Sequence, residues 1–218
     1  MRFLITFLTL LFSITSVVLA NGNAQDAVIE KIENKYKKVN TYYASFRQEQ
    51  PVTSLDKVQT NVGEIWIKKP GKIRWNYNIP KNAQIISDGN FLWYYYVEEK
   101  YALKRDLKEV GSDTNLLSLL SDLSNLQKLY KINIKRTAIE AVKYYLVELI
   151  PLDSEDDSVN KQILAVNMDN LLIERIYIYD AFGNKSTIKF SDIKVNNGIK
   201  DKVFEFTPPK DVEIQDAP

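Results

Sequence analysis

The chain has 218 residues, 45% of them hydrophobic, with 29 Lys+Arg against 28 Asp+Glu and a formal charge of +1. That suits one domain with a sizeable core and gives no electrostatic footprint for nucleic acid or an anionic membrane surface. Cys and His are both absent, which removes disulfides, thiolate nucleophiles, Ser-His-Asp catalysis and the common zinc sites, and leaves an enzyme only carboxylates and oxygen-ligand metals.

The N-terminus reads as a targeting segment. Met1-Arg2 precedes an apolar run from Phe3 to Ala20, diluted by Thr6, Thr9, Ser13, Thr15 and Ser16 and ending in Val18-Leu19-Ala20. This fits a signal peptide over residues 1–20, cut after Ala20 or after Ala24, with the functional domain over 21–218. The run is marginal as a membrane span. Removing it takes away one cation, Arg2, and no acid, which brings the formal charge to zero. A soluble protein exported to the periplasm, and monomeric, is expected.

Gln25 to Val39 has Val28, Ile29, Ile32, Tyr36 and Val39 at three- and four-residue steps, an amphipathic helix with Lys31, Lys35, Lys37 and Lys38 on its other side. Thr41 to Gln50 alternates instead, with Tyr42, Ala44 and Phe46 on one face, as in a half-buried strand. A loop at 51–57 leads into Gly63–Tyr96, which holds all three tryptophans, Trp66, Trp75 and Trp93. Lys69-Pro70-Gly71 and Asp88-Gly89 are turn signals that divide it into strands at 62–68, 72–78, 83–87 and 91–97. An aromatic antiparallel sheet of this kind is either an ordinary core or the lining of an apolar pocket. A fifth strand follows at 100–105.

The β pattern breaks at 112–130. Leu116, Leu119, Leu120 and Leu123 fall at helical spacing, with Leu126 and Tyr130 near the same stripe. One long or two short helices are expected, either as core or as a lid over the sheet. Strands resume at 131–137, 143–150, 161–167, 171–179 and 185–194, with Asp180-Ala-Phe-Gly183 as a hairpin turn, and a last strand near 203–206 before Pro208-Pro209. The acidic run Ser154–Ser158 lacks calcium-loop spacing, so no metal is expected. The fold class is therefore mainly β. A single curved antiparallel sheet of about ten or eleven strands forms an unclosed half β-barrel, and the N-terminal helix and a central helical lid cover its concave face.

Several marks in this order resemble the LolA-type family of periplasmic outer-membrane lipoprotein carriers. They are the signal peptide, Ala44-Ser45-Phe46 with Gln48, Gly63-Glu-Ile-Trp66-Ile-Lys-Lys-Pro70, Arg74-Trp75, Ser87-Asp88-Gly89, Leu92-Trp93-Tyr94 and Phe204-Glu-Phe206-Thr207-Pro208-Pro209. The resemblance implies a chaperone whose apolar cavity holds the acyl chains of triacylated lipoproteins. It implies an inner-membrane ABC transporter that loads the cargo, an outer-membrane acceptor that takes it, and no cofactor. On this reading Phe46, Trp66, Ile73, Trp75 and Trp93 line the cavity, and Leu116, Leu119, Leu120 and Leu123 form the lid. The family often has Arg before the Pro of the turn as a lid latch; here that place holds Lys69, with Arg74 as a nearby substitute. Two other readings stand beside it. One is a lipid- or protein-sensing module on the same scaffold. The other is a carboxylate hydrolase using Asp88 and Glu64, although turn geometry alone accounts for Asp88.

Overall fold

The computed structural model describes residues 15–52, 57–80, 82–107, 119–120, 123–152 and 159–216, with side chains from Ala24 onward except that of Val159. The strand expected from Thr41 is β1 (Thr41–Val52). It is followed by β2 (Lys57–Lys68), β3 (Lys72–Ile79), β4 (Ala83–Asp88), β5 (Phe91–Tyr96) and β6 (Tyr101–Asp106). After the central segment come β7 (Tyr130–Ile139), β8 (Val142–Pro151), β9 (Val159–Asn167), β10 (Ile173–Asp180), β11 (Lys185–Val195) and β12 (Glu213–Asp216). All twelve described strands belong to one sheet, in the order β12-β6-β5-β4-β3-β2-β1-β11-β10-β9-β8-β7. Its ends, β12 and β7, do not pair with each other, so the half-barrel is unclosed.

This order separates the two halves of the chain. From β1 the chain walks outward through hairpins to β6, and then reappears at β7 on the far edge. From there it walks back to pair β11 with β1. The β6–β7 connection therefore links β6 to the opposite edge of the sheet. Its described part packs inward: Leu119, Leu120, Leu123 and Leu126 are all buried. Leu119 and Leu120 are helical, and a short helix α2 follows at Leu126–Leu129. Leu116 lies outside the described residues.

The N-terminal helix α1 runs from Thr15 to Lys37. It starts ten residues earlier than the apolar pattern predicts and continues through both expected cleavage points. Val28, Ile32, Tyr36 and Val39 bury the stripe read in the sequence against the same face of the sheet as the leucines. Its last turn is fastened by directional bonds. The Tyr36 hydroxyl accepts the Ile173 backbone N–H (2.9 Å), and Asn196 Nδ2 donates to the Lys38 carbonyl (2.8 Å) while its Oδ1 accepts Asn40 N–H (2.8 Å). Asn196 takes a left-handed backbone (φ 54°), which Asn tolerates better than most residues.

The sheet bends where one strand carries an extra residue. Register shifts fall between Tyr43 and Ser45 against β11, between Val62 and Gly63 against β3, and between Ile173 and Arg175 against β9. Bulges of this kind raise local twist and curvature. At Gly63 the bulge brings backbones into close approach: a Cβ there would stand 1.8 Å from the Asn76 carbonyl oxygen and 2.9 Å from the Phe46 ring.

Two expectations near the C-terminus are corrected. Residues 201–204 form a 3-10 turn (Asp201–Phe204) instead of a strand, and the last strand is β12, paired parallel with β6. The 199–206 segment is held across the sheet's other face by side chains. Lys68 Nζ donates to the Ile199 carbonyl (3.1 Å) and pairs with Asp201 (2.7 Å), Lys72 pairs with Asp201 (3.3 Å), and Arg74 donates to the Val203 carbonyl (3.1 Å). The hydrogen bonds from Lys68 and then Lys72 hold the Asp201 carboxyl below its usual range.

Gly63→Ala is expected to lower stability by about 1–3 kcal/mol through overpacking at the bulge. Tyr36→Phe is expected to cost about 1–3 kcal/mol by leaving the buried Ile173 N–H unpaired. Urea unfolding checks both: the midpoint falls at unchanged slope.

Candidate functional site

The pleat of β1, β2 and β3 sorts side chains between two faces, and register fixes which ones meet. Tyr42, Ile67 and Ile73 stand in one cross-strand row, Ala44, Ile65 and Trp75 in the next, and Phe46, Gly63 and Tyr77 in the third. This is the helix-covered face, and all nine positions but Tyr77 are buried. Phe46, Trp75 and Tyr77 pack as an aromatic group, with ring centroids 5.1 Å, 5.2 Å and 5.8 Å apart, the last pair stacked at 13°. Burial pushes the Tyr77 hydroxyl up to about 12. Three of the five expected wall residues, Phe46, Ile73 and Trp75, are thus brought together with Leu119, Leu120 and Leu123 in one buried cluster.

The other two are not. Trp66 neighbours Ile65 and Ile67 in β2, so the period-two alternation turns it to the opposite face, between Tyr43 and Arg74. Its ring packs on Tyr43 at 5.5 Å. Trp93 pairs with Ile86, which pairs with Arg74, so it shares that opposite face. There Phe206 covers it at 5.4 Å. The sequence marks aromatic density but not face, because strand phase in Gly63–Tyr96 depends on bulge and turn positions.

The two expected latch residues also separate. Arg74 faces away from the leucines, and besides the Val203 carbonyl it donates to Asn76 Oδ1 (3.1 Å) and Gln84 Oε1 (2.8 Å). It fastens the C-terminal segment. Lys69 is on the leucine side. Its Nζ donates to the Tyr36 carbonyl at the end of α1 (2.8 Å), where the helix dipole favours a cation. It also lines a small cavity with Leu120 and Leu123, together with Tyr36, Tyr42, Ile67 and Ile173. That cavity is about 20 Å³, room for one water.

A wider groove of about 480 Å³ opens between the start of the α1 side chains (Ala24, Gln25, Val28) and the β7–β8 hairpin (Ile134, Arg136, Tyr145). Sequence reasoning missed it because it arises where a helix crosses an edge hairpin, which no local pattern marks. Two buried polar groups on the covered face, the Tyr42 hydroxyl and Trp75 Nε1, have no hydrogen-bond partner among the described residues. Each unmet need of this kind costs about 1–3 kcal/mol. Burial pushes the Tyr42 hydroxyl well above its ordinary range, with smaller contributions from Tyr36 and Glu174.

The carboxylates weighed for hydrolysis have structural partners. Asp88 Oδ1 accepts the Asn90 and Phe91 N–H groups (2.8 and 2.9 Å) in the β4–β5 turn. Glu64 Oε1 accepts the Tyr43 hydroxyl (2.6 Å) on the opposite face. No cluster of three metal-ligating side chains occurs among the described residues.

Comparison with known proteins agrees with this arrangement. Residues 37–207 match the family described as outer membrane lipoprotein carrier protein LolA. An outer-membrane lipoprotein carrier protein of Serratia proteamaculans is 28% identical over 207 residues, covering 91% of this chain and 94% of its own. One from Methylobacillus flagellatus is 27% identical over 187 residues, covering 85% and 87%. Among solved structures, an uncharacterized conserved protein of Thermus thermophilus superposes with a TM-score of 0.58 over 89% of this chain and 99% of its own, at 8% identity, a likeness of fold. The family model spans most of the unclosed half-barrel, and the chain belongs to the LolA family of outer membrane lipoprotein carrier proteins.

Proposed function

We propose that this chain is a periplasmic chaperone. It takes the acyl chains of lipoproteins released from the inner membrane by an ABC transporter and delivers them to an acceptor at the outer membrane. The observation that carries the reading is the covered face itself. Leu119, Leu120 and Leu123 lie in the same buried cluster as Phe46, Ile73 and Trp75, and the space left beside Leu120 and Leu123 is only about 20 Å³.

The energetics require such a cover. Burying one sixteen-carbon chain is worth about 12 kcal/mol at roughly 0.8 kcal/mol per methylene. A lipoprotein with several chains does not cross water bare. A permanently open apolar cavity of that size would, in turn, hold cargo too tightly and expose a large apolar patch when empty. A cavity filled by its own lid answers both: cargo replaces lid contacts, and net affinity is the difference between the two. The groove between α1 and the β7–β8 hairpin gives chains an opening that does not require the strand ladder to break. Lys69, bonded to the end of α1 and bordering the leucines, is the latch this geometry favours; Arg74 is not.

The lid is tested by locking it. The chain has no native Cys, so a Leu120→Cys/Ile67→Cys pair facing the shared cavity can be bridged by a cleavable bis-thiol linker. The bridged protein is expected to lose uptake of a triacylated lipopeptide and to regain it on cleavage. Unchanged uptake by the bridged form would sink the gating reading. Leu123→Ala checks the competition from the other side. It is expected to destabilise the free protein by about 2–5 kcal/mol and to raise affinity for the lipopeptide several-fold, measured by titration of intrinsic fluorescence. Parallel losses of stability and affinity would contradict a lid that competes with cargo.

A further inference from the structure

A wall meant for methylene chains alone has no use for a hydrogen-bond donor, yet Trp75 carries one on the covered face. Its side chain is 1% exposed, on the helix-covered face, in the same cluster as the lid leucines. Its Nε1–H has no acceptor among the described residues. Around it the cross-strand neighbours are Ile65 and Ile85, and the nearest rings are Phe46 and Tyr77, which offer at best a weak π acceptor. A phenylalanine would fill a hydrocarbon wall without leaving a donor unmet. The Tyr42 hydroxyl is also unpartnered, but it borders the small cavity beside Lys69, where a water can serve it. Trp75 is not among the residues lining that space.

We infer that Trp75 is the donor that reads the carbonyl oxygen at the head of a bound acyl chain, so that this cavity distinguishes ester-linked acyl chains from plain alkyl chains. The inference rests on the carrier reading above. The ligand chemistry follows from the surroundings. The group that meets Trp75 must be a neutral acceptor, because an anion at this depth would need a compensating cation, and Lys69 is already committed to the Tyr36 carbonyl. It must also be joined directly to hydrocarbon, because Ile65, Ile85 and the Phe46 ring beside Trp75 are apolar. The carbonyl of a fatty acyl ester meets both demands; an ether oxygen is a far poorer acceptor, and an alkane is none. In the structure the donor is buried, in the same cluster as Leu119, Leu120 and Leu123, and has no partner among the described residues. Cargo with a carbonyl then gains a contact that the leucine side chains do not make, which favours exchange of lid for acyl chain.

The test uses the full mature chain and two lipopeptides, one carrying palmitoyl chains through glyceryl esters and one carrying hexadecyl chains through ethers, both with a free N-terminus. The wild type is expected to bind the ester form roughly tenfold more tightly, the factor that corresponds to about 1.4 kcal/mol. Trp75→Phe is expected to bring the ratio to about one by weakening the ester form alone. Replacing Trp75 with its benzothiophene isostere, which keeps ring volume and lacks the N–H, guards against a packing effect and is expected to do the same. In 15N-labelled protein the Trp75 indole proton, assigned by its loss in Trp75→Phe, is expected to move downfield with the ester form and not with the ether form. Equal wild-type affinities, a ratio that survives both substitutions, or an indole shift common to both ligands overturns the inference while leaving the carrier reading in place. Binding of neither ligand overturns the carrier reading itself.

Discussion

Two kinds of force divide the labour in this molecule. Strand pairing, which is directional and continuous from β12 to β7, builds the wall. Apolar packing, which is non-directional and proportional to area, holds the cover on it. The side chains of Leu119, Leu120 and Leu123 carry no hydrogen-bonding groups, so what they add to the cluster is apolar packing. The end of α1 is different. Tyr36, Lys69 and Asn196 fasten it through a hydroxyl, an ammonium and an amide. Among the described residues the cover is therefore unequal: the end of α1 is fastened by directional bonds, and Leu119, Leu120 and Leu123 contribute apolar packing.

The opposite face reinforces this division. Arg74, Lys68 and Lys72 gather the 199–206 segment, and Phe206 closes over Trp93 and Tyr95. Trp66 and Trp93 serve there as packing between layers on the outside of the wall. That side of the wall is braced by aromatic and charged contacts, while the helix-covered side holds the larger apolar cluster. The family's chemistry, moving an apolar load without reacting with it, needs no titratable centre. Asp88 and Glu64 are correspondingly spent on a turn and on a tyrosine.

Much of this was legible in the sequence, for physical reasons that can be named. Alternation in Thr41–Gln50 and helical spacing in Val28–Val39 report burial directly, and both survive folding intact. Turn chemistry at Lys69–Gly71 and Asp88–Gly89 set the hairpins, with Gly71 and Gly89 in left-handed backbone as their positions demand. What did not show was anything set by phase or by distance along the chain. Trp66 and Trp93 changed face because one residue of offset inverts a strand's facing. Asn196 and Ile173 could not be tied to α1 from the sequence, since they lie more than a hundred residues away. The 203–206 stretch looked like a strand because Phe and Val favour one, but tertiary contacts with Lys68 and Arg74 set its conformation instead.

An unclosed half-barrel has a consequence for the company it keeps. Full closure would abolish free strand edges; this sheet ends in two, β7 and β12. Each could template pairing with another chain in a crowded envelope. The exposed positions of β7 carry Lys131, Lys135 and Arg136, and the edge at β12 is a four-residue strand, fully exposed, with Glu213 and Asp216 at its ends. One rim is cationic and the other is short and anionic. Backbone edges that would otherwise invite aggregation are thus discouraged from growing into a longer sheet, and the chain can remain an open vessel without becoming a seed for fibres.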